Sequence, residues 1–362
     1  MSIRVLKAGM LSTLQDRGRS GLAAFGIGRA GPMDEVAFRL ANALVGNGDD
    51  GAALEISVIG PRLHFGADAI IALAGAEFDA HIGTRAVTGW RRQPVAAGDV
   101  LDCGRVRHGA RAYLAVAGGF AAPSVLGSRS CDVNAGLGPL HGRPLRDGDA
   151  LLIERNRAGD AGAASAATST RQRVGGTQAL ARENDDAPLG HAAAPTSDLN
   201  SPGRRRTWTL DPRPWFDPDP SHAIHLIRGR HFEALDDASR QALFSSEFKV
   251  AAESNRVGFR LDGPRLAFAA PLELISEAVA FGTVQLPPGG QPIALLAEHP
   301  TTGGYPRIGQ IAAIDLPRLA QRKPGDSVRF REIDLDEAQT RYLRRERELA
   351  QMIEAIATRL DA

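Results

Sequence analysis

Cysteine is scarce in this chain: Cys103 and Cys131 are the only two in 362 residues, and neither belongs to a CxxC pair. A chain of this size that relied on disulfides or on a cysteine-rich zinc site would have more cysteines at paired spacings. We therefore predict two buried free thiols and a protein of a reducing compartment, which favours a cytoplasmic location.

Long apolar runs are missing as well. No segment reaches the roughly 18 apolar residues of a membrane span, and the N-terminus MSIRVLKAGMLSTLQDRG lacks the apolar core of a signal peptide. The formal net charge is only +1, and the charges are interspersed rather than clustered. We therefore expect no nucleic-acid or membrane partner, because both require a wide basic or apolar surface.

The common motifs of nucleophilic and metal catalysis are also absent. The sequence has no HExxH, no GxSxG elbow and no P-loop lysine motif. His222, His225 and His231 lie close together, but the segment HAIHLIRG reads as a strand, in which side chains three residues apart point to opposite faces. We predict that these histidines bind no common metal ion.

Composition divides the chain into two halves. Residues 155–207 are rich in alanine, glycine, serine, threonine and charge, without a sustained apolar period, which is typical of a flexible linker. It separates a predicted β domain at 1–154 from a second at 208–334. Helical spacing of apolar residues in the tail predicts a C-terminal helix over 335–362.

Both halves consist mostly of short strand-like segments separated by turns, such as AIIALAG, RAYLAVAGG and DSVRFREI. They follow one another without the helices of a βαβ fold, which favours antiparallel sheets or closed barrels. The string GPRLHF at 60–65 returns as GPRLAF at 263–268, each time after a strand-like run. This repetition indicates a duplicated β domain.

One helix is predicted inside the first half, over residues 33–45, with Pro32 in its first turn and Gly46 at its stop. A formal GxGxxG motif, residues 26–31, comes just before it. A dinucleotide site requires a buried strand leading into the first glycine, and here only LAAF separates Gly21 from Gly26. A glycine-rich loop is the favoured interpretation.

Three polar segments interrupt the strands: LSTLQDRGRSG, ESNRVGFRL and HPTTGGYPRIG. Each fits a structural turn, and each also concentrates donors and acceptors that suit a binding site. The glycines of TTGGYP leave backbone N–H groups accessible to a carboxylate or phosphate, although a hairpin needing positive φ would also use them. Both interpretations stay open on the residues alone.

Taken together, GMLSTLQDRGR, GPMDEVAFRLANALVGN, ALEISVIGPRL, ESNRVGFRLDGP, GTVQLPPGGQPIALLAE and TTGGYPRI resemble the allophanate hydrolase subunit 2 family, also called biotin-dependent carboxyltransferase-like proteins. The resemblance covers nearly the whole chain outside the linker. It implies a mainly β fold of two cyclophilin-like β-barrel domains with a few helices and a C-terminal helix.

Within that family the chain resembles the branch found in bacterial ATP-dependent 5-oxoprolinases. The resemblance implies one component of a hydrolase that opens 5-oxoproline, a cyclic amide, to glutamate. It implies protein partners that resemble the A and B subunits of 5-oxoprolinase, and ATP as cofactor, bound by this chain or by a partner.

The matching motifs also imply which residues line a substrate or anion site, while the catalytic residues stay unknown. Family members commonly carry a glutamine where this chain has Pro300. The implied site residues are Asp16, Arg19, Ser254, Asn255, Arg256, Glu277, Gln285, Gln291, Thr301, Thr302, Gly303, Gly304 and Tyr305.

Two alternatives come from relatives within the same family. One is a carboxyltransferase component of a biotin-dependent system of the urea amidolyase type, and the other is a regulatory antagonist of a kinase-inhibitor-like partner. None of Lys7, Lys249 and Lys323 is flanked by methionines, so we expect no covalent biotin on this chain.

Overall fold

The structure is a computed structural model that describes residues 2–154, 208–272 and 274–361. The predicted linker, residues 155–207, lies outside the described residues. Within the described ranges the chain is mainly β with a C-terminal helix, which confirms the predicted fold class. The helices in these ranges are α1 (Glu35–Leu44), α2 (Asp237–Ser245), α3 (Leu316–Ala320) and α4 (Leu335–Asp361).

The first half forms two antiparallel sheets. Its strands are β1 (Ser2–Lys7), β2 (Leu11–Gln15), β3 (Ala53–Ser57), β4 (Arg62–Phe65), β5 (Ala69–Phe78), β6 (His81–Ile82), β7 (Arg85–Ala86), β8 (Arg92–Val95), β9 (Val100–Asp102), β10 (Val106–Val116), β11 (Phe120–Ala121) and β12 (Ala150–Ile153). One sheet has the order β11-β12-β1-β4-β9-β6-β7, and the other has the order β2-β3-β10-β5-β8.

Apolar periodicity explains how these sheets enclose a core. In β1, Ile3 and Val5 are buried while Arg4 and Leu6 are exposed, because successive side chains point to opposite faces. Strand β10 instead has a continuous buried run from residue 109 to 116. It lies between β3 and β5, and α1 packs on it, so both of its faces are covered.

The second half contains a closed seven-stranded barrel and a separate two-stranded ribbon. The strands of this half are β13 (Ile224–Arg228), β14 (Glu247–Val250), β15 (Gly258–Asp262), β16 (Glu277–Ala278), β17 (Thr283–Gln285), β18 (Ile293–Leu295), β19 (Thr302–Gly303), β20 (Arg307–Ile311) and β21 (Ser327–Glu332). The barrel order is β13-β20-β17-β18-β15-β14-β21, and β16 pairs with β19 as the ribbon. Met33 of the first half packs into the core of this barrel, and the two halves belong to one compact unit.

Helix α1 begins two residues later than the sequence pattern predicts. Asp34 is its N-cap and accepts a hydrogen bond from the backbone N–H of Ala37 at 3.0 Å, so Pro32 lies before the helix rather than in its first turn. At the other end Gly46 has a φ of +78°, which agrees with the predicted stop.

The repeated hexapeptide adopts two different conformations. Residues 62–65 form β4, whereas residues 263–268 lie outside the strands, with only a bridge from Phe268 to Leu235. There the side-chain amide of Gln291 accepts a hydrogen bond from the backbone N–H of Gly263 and donates one to its carbonyl. Similar sequence thus does not give a similar strand at this position.

Helix α4 packs against α1, where Arg39 Nη1 donates to Glu346 Oε2 at 2.8 Å. Leu349 and Ile356 are buried, and the rest of its surface is largely charged. No helix in the described ranges is long and apolar enough to cross a membrane.

Candidate functional site

Arg256 links the two halves through buried ion pairs. It precedes β15 in the barrel, and its Nε donates to Glu298 Oε1 at 2.6 Å. Its Nη1 donates to Glu55 Oε1 on β3 of the first half, and its Nη2 donates to the carbonyl of Gly31 at 2.7 Å. All three charged side chains are at most 3% exposed. We call Arg256, Glu55 and Glu298 the buried cluster.

Neighbouring groups favour the charged forms of Glu55 and Arg256. Burial raises the pKa of Glu55, but Arg256 and Arg111 outweigh it and leave that pKa below its usual value. The hydroxyl of Tyr113 and the backbone N–H of Met33 also donate to Glu55 Oε2, at 2.7 and 2.9 Å. The two carboxylates in turn hold the pKa of Arg256 above its usual value despite burial.

Three loops meet beside Glu298. The backbone N–H of Asn134 donates to Glu298 Oε2 at 3.3 Å. A Cβ placed on Gly28 would lie 3.3 Å from the carbonyl oxygen of His299 and 3.6 Å from Asp132 Oδ2. The GxGxxG loop therefore serves close approach between the halves, in line with the interpretation as a glycine-rich loop.

The TTGGYP loop continues directly from His299. Residues 302–303 form β19 and pair with β16, so that Glu277 lies opposite Gly303. A Cβ on Gly303 would lie 2.5 Å from Gln285 Nε2, which donates to the carbonyl of Tyr305 at 3.2 Å. Neither Gly303 nor Gly304 has a positive φ, so hairpin geometry does not require glycine at either position. A side chain at position 303 would have to displace the amide end of Gln285. Tyr305 is 48% exposed.

A second group of charges borders this loop, and we call Glu277, Arg230 and Arg307 the exposed cluster. Glu277 accepts from Arg307 Nη2, and from Arg230 Nη1 at 3.1 Å. The backbone N–H of Arg307 donates to His231 Nδ1 at 3.0 Å. Burial, followed by the charge of Arg307, lowers the pKa of His231, so the imidazole is neutral near pH 7.

Asp16 and Arg19 organise the loop that leads to Asp132. Asp16 accepts from the hydroxyls of Ser128 and Ser130, at 2.5 and 2.7 Å, and from two backbone N–H groups. Burial opposes its ionisation, but these hydrogen bonds outweigh burial and lower the pKa of Asp16. Arg19 Nη2 donates to the carbonyl of Ser130. These contacts indicate that both residues position the loop that leads to Asp132.

With this geometry in view, comparison with known proteins identifies the family. A family model described as carboxyltransferase domain, subdomain A and B, matches residues 25–332. The chain belongs to this family. That finding confirms the resemblance drawn from the sequence motifs.

Individual members of the carboxyltransferase family match nearly the whole chain. The chain is 35% identical over 337 residues to the 5-oxoprolinase C subunit of Escherichia coli (strain K12), covering 93% of each protein. It is 32% identical over 347 residues to the 5-oxoprolinase C subunit of Haemophilus influenzae, covering 96% of each. The crystal structure of the K. lactis urea amidolyase matches 98% of this chain and 20% of its own chain, with 26% identity and a TM-score of 0.77.

Three other predicted site residues of this carboxyltransferase-family chain make hydrogen bonds to backbone groups outside the TTGGYP loop. Ser254 Oγ accepts from the backbone N–H of Arg260 at 3.1 Å, and Asn255 Oδ1 accepts from that of Val257 at 2.8 Å. Gln291 contacts Gly263 through both amide atoms, at 3.0 and 3.1 Å. Ser254 and Asn255 thus bond backbone a few residues ahead of them, whereas Gln291 joins two distant segments. In the described residues none of the three side chains makes a hydrogen bond to the TTGGYP loop.

The three histidines have separate environments. His222 Nδ1 lies 2.8 Å from Asp217, and His225 Nδ1 lies 2.7 Å from Asp315, whereas His231 accepts from a backbone N–H. Among the described residues no group of histidine, cysteine and carboxylate side chains is arranged to hold a metal ion.

Sequence reasoning missed Glu55, Glu298 and Asp132. Glu55 carried a signal, since it is the one charged residue of β3, a strand that is buried throughout. Glu298 lies directly before the loop predicted as a site. Neither signal indicates a partner, because the two carboxylates belong to different halves and meet only at Arg256.

Proposed function

We propose that this chain is the C subunit of an ATP-dependent 5-oxoprolinase, which opens 5-oxoproline to glutamate. One observation carries the proposal: two 5-oxoprolinase C subunits match the chain over at least 93% of both proteins. The urea amidolyase match instead covers only 20% of a much longer protein.

The chemistry of the reaction agrees with the residues at the site. A lactam is a poor electrophile because resonance delocalises the nitrogen lone pair, so ATP-dependent activation of the amide oxygen would make attack by water favourable. A protein that binds such a substrate needs donors for a carboxylate and for phosphate oxygens more than it needs a serine nucleophile. The guanidinium groups of Arg230 and Arg307 and the exposed backbone near Gly304 supply donors of this kind.

We assign two roles within the site. The loop from Thr301 to Tyr305 binds the anionic part of the substrate, and the buried cluster holds the two halves so that this loop keeps its place. Only two residues separate Glu298 from the start of this loop, which supports a mechanical connection between the two.

The proposal includes A-like and B-like subunits of 5-oxoprolinase as partners, with ATP bound by this chain or by one of them. No covalent biotin is involved. Use of ATP agrees with the cytoplasmic location predicted from the scarcity of cysteine.

The decisive experiment is an omission series. This chain is mixed with A-like and B-like subunits, and 5-oxoproline-dependent ADP release is measured with each component left out in turn. We expect release to vanish when this chain is omitted. Full release without it would contradict the proposal.

A loop variant tests the anion-binding role. Gly304 is exposed, has no positive φ, and a Cβ there would meet only Ser276 Oγ at 3.4 Å, so Gly304→Val should fold normally. We expect it to lose most of the 5-oxoproline-dependent ADP release, because valine obstructs the backbone donors. Gly289→Val is the matched control, since Gly289 is also exposed and has open space around it. Equal activity of the two variants would contradict this role.

A second candidate is a carboxyltransferase component that acts on urea or another amide with a separate biotin carrier. The matching family model is described as a carboxyltransferase domain, which favours this second candidate. Avidin would inhibit such a system because it sequesters biotin, whereas a 5-oxoprolinase would be unaffected. The mixture for this test must therefore also contain the biotin carrier.

A further inference from the structure

We propose that His231 is a positioning residue for the anionic substrate: its neutral ring fixes the backbone of Arg307, and thereby the guanidinium that meets the substrate carboxylate. The role rests on the proposed function and deepens it, because it identifies what orients one of the anion donors. His231 follows β13 and lies beside the exposed cluster, to which Arg307 belongs.

The side chain of His231 continues the pairing of β13 with β20 beyond the last residues of the ladder. In that ladder Arg228 lies opposite Gly309. Further along, the backbone N–H of His231 donates to the carbonyl of Arg307 at 3.0 Å, and the ring Nδ1 accepts from the backbone N–H of Arg307 at 3.0 Å. One residue therefore holds both the N–H and the carbonyl of Arg307.

This contact determines which nitrogen of the ring carries the proton. A backbone N–H only donates, so Nδ1 presents its lone pair to Arg307 and the neutral ring has its N–H at Nε2. A protonated ring has an N–H at both nitrogens, and Nδ1–H would then point at the N–H of Arg307 instead of accepting from it. The hydrogen bond therefore exists only while His231 is neutral.

The side chain of Arg307 connects this bond to the ribbon that carries the TTGGYP loop. Its Nη1 donates to the carbonyl of Ala278 at 3.0 Å, and its Nη2 donates to Glu277. Both acceptors belong to β16, which pairs with β19 inside the loop. A continuous series of contacts thus leads from the ring of His231 through Arg307 to the loop proposed to bind the substrate.

The surroundings of His231 favour the neutral ring. Burial and the charge of Arg307 on β20 hold its pKa below the usual value, and Arg230 acts in the same direction, while Glu277 on β16 opposes them. The hydrogen bond and the surrounding charges thus both resist protonation of the ring. Charged groups on the adjoining elements pair with one another, as Glu233 does with Arg228 and Arg240.

A proton on the ring has two effects of opposite sign on an anionic substrate. The added charge attracts the carboxylate, but water screens it, because this cluster is open to solvent and Arg230 is 70% exposed. The lost hydrogen bond and the meeting of two N–H groups displace Arg307, whose guanidinium needs a fixed geometry to bind a carboxylate. We expect displacement to outweigh attraction, so affinity falls as the pH falls through the pKa of His231.

The test measures the KM for 5-oxoproline in the reconstituted mixture with A-like and B-like subunits, at saturating ATP. In the wild type we expect KM to be at least about threefold higher at about pH 5.5 than at about pH 7.5, because His231 takes up a proton between them. A wild-type KM that falls with the pH would overturn the proposal.

Two substitutions separate the hydrogen bond from other roles of the ring. His231→Asn keeps an oxygen that can accept from Arg307 but cannot take up a proton, so we expect a KM within about twofold of the wild type at about pH 7.5 and little change at about pH 5.5. His231→Leu removes the acceptor and should raise KM about fivefold or more at about pH 7.5, with kcat within about twofold. A His231→Asn variant with the wild-type pH profile, or a His231→Leu variant with the wild-type KM, would overturn the proposal.

His222 is the matched control. Its side chain is 56% exposed, and its Nδ1 pairs with Asp217 rather than with β20 or the ribbon. We expect His222→Asn and His222→Leu to keep the wild-type KM at both pH values. A rise in KM for His222→Leu equal to that for His231→Leu would overturn a specific role of His231.

A measurement on the ring itself is independent of activity. The ¹⁵N resonances of the histidine rings are recorded for the full chain across the same pH range, and His231 is assigned from its loss in His231→Asn. We expect the tautomer with its proton on Nε2 and a titration midpoint below about 6.5, the ordinary value. A proton on Nδ1 in the neutral ring would overturn the proposal. The expected tautomer together with no 5-oxoproline-dependent ADP release would instead contradict the proposed function.

Discussion

Two groups of arginines and carboxylates lie on either side of residues 299–305, and they differ in their contact with water. In the buried cluster all side chains are at most 3% exposed, and the partners come from both halves of the chain. In the exposed cluster the side chains of Glu277, Arg230 and Arg307 are 36%, 70% and 25% exposed. The same chemical pair thus occurs once in a dry interior and once in solvent.

The difference in exposure indicates which cluster stabilises the fold and which cluster can bind a ligand. Removing one member of a buried pair leaves an uncompensated charge in a poorly polarisable interior, so such a pair behaves as a fixed unit. An exposed pair contributes little to stability, because water screens it and competes for its hydrogen bonds. The exposed arginines can therefore exchange partners with a ligand, while Arg256 cannot.

The largest expected effect comes from Arg256→Met. This change leaves Glu55 and Glu298 buried without their cation, and we expect it to lower the free energy of unfolding by about 3–5 kcal/mol. Urea unfolding at pH 7 measures the loss. Arg260→Met is the control, since Arg260 is exposed on the neighbouring strand β15. If the free energy of unfolding falls by less than about 1 kcal/mol, the contribution of Arg256 is no larger than that of a surface ion pair, which would contradict this prediction.

Asp16→Asn tests an intermediate case, in which hydrogen bonds rather than a cation hold a buried carboxylate. We expect a loss of about 1.5–3 kcal/mol near neutral pH. The pKa of Asp16 is lowered in the folded protein, so its stabilisation is present above the ordinary pKa and is lost as the pH falls through the folded value. The difference between wild type and variant should therefore shrink below about pH 4.

Asp50→Asn is the control for this prediction, because Asp50 is exposed. Unfolding midpoints measured from neutral to acid pH would give the two curves. A stability difference for Asp16→Asn that does not change with pH would show that shape, not charge, accounts for its effect.

The smallest effect on stability is expected for Glu277→Gln in the exposed cluster. We expect less than about 1 kcal/mol by urea unfolding, because the ion pairs are open to solvent. Glu247→Gln at the pair with Arg329, also partly exposed, is the matched control. If the exposed cluster takes part in binding, only Glu277→Gln changes the concentration of 5-oxoproline needed for half-maximal ADP release. Identical behaviour of both variants would remove the exposed cluster from the proposed site.

Local sequence patterns predicted much of the fold. The strand-like runs that became β5, β10 and β21, the helix after residue 32, and the C-terminal helix all follow from apolar periodicity. The predicted place of Pro32 in the first turn of α1 was wrong, because Asp34, two residues later, is the N-cap of that helix. The strand-like run predicted before the second hexapeptide is β15, whereas the repeat of the hexapeptide itself did not indicate that its two copies differ in conformation.

The candidate site was predictable as segments but not as an arrangement. Glycine spacing and family resemblance drew attention to residues 301–305 and to Arg256. Nothing in the local pattern distinguishes Arg256, which is buried between two carboxylates, from Ser254 and Asn255, whose side chains complete a turn. That distinction depends on which side chains a distant strand brings close.

The sequence by itself determined the mainly β fold, the ends of α1 and α4 to within two residues, and membership of a carboxyltransferase family. The fold class and the helix ends follow from interactions between residues that are close in sequence. The family follows from short motifs that can be recognised in the sequence itself. The tertiary structure alone decided that Glu55 and Glu298 share one arginine, that Gly28 lies against His299, and that the ring of His231 accepts from the backbone of Arg307. Such contacts join residues far apart in sequence, and burial, which sets their energies, exists only once the two halves have packed together.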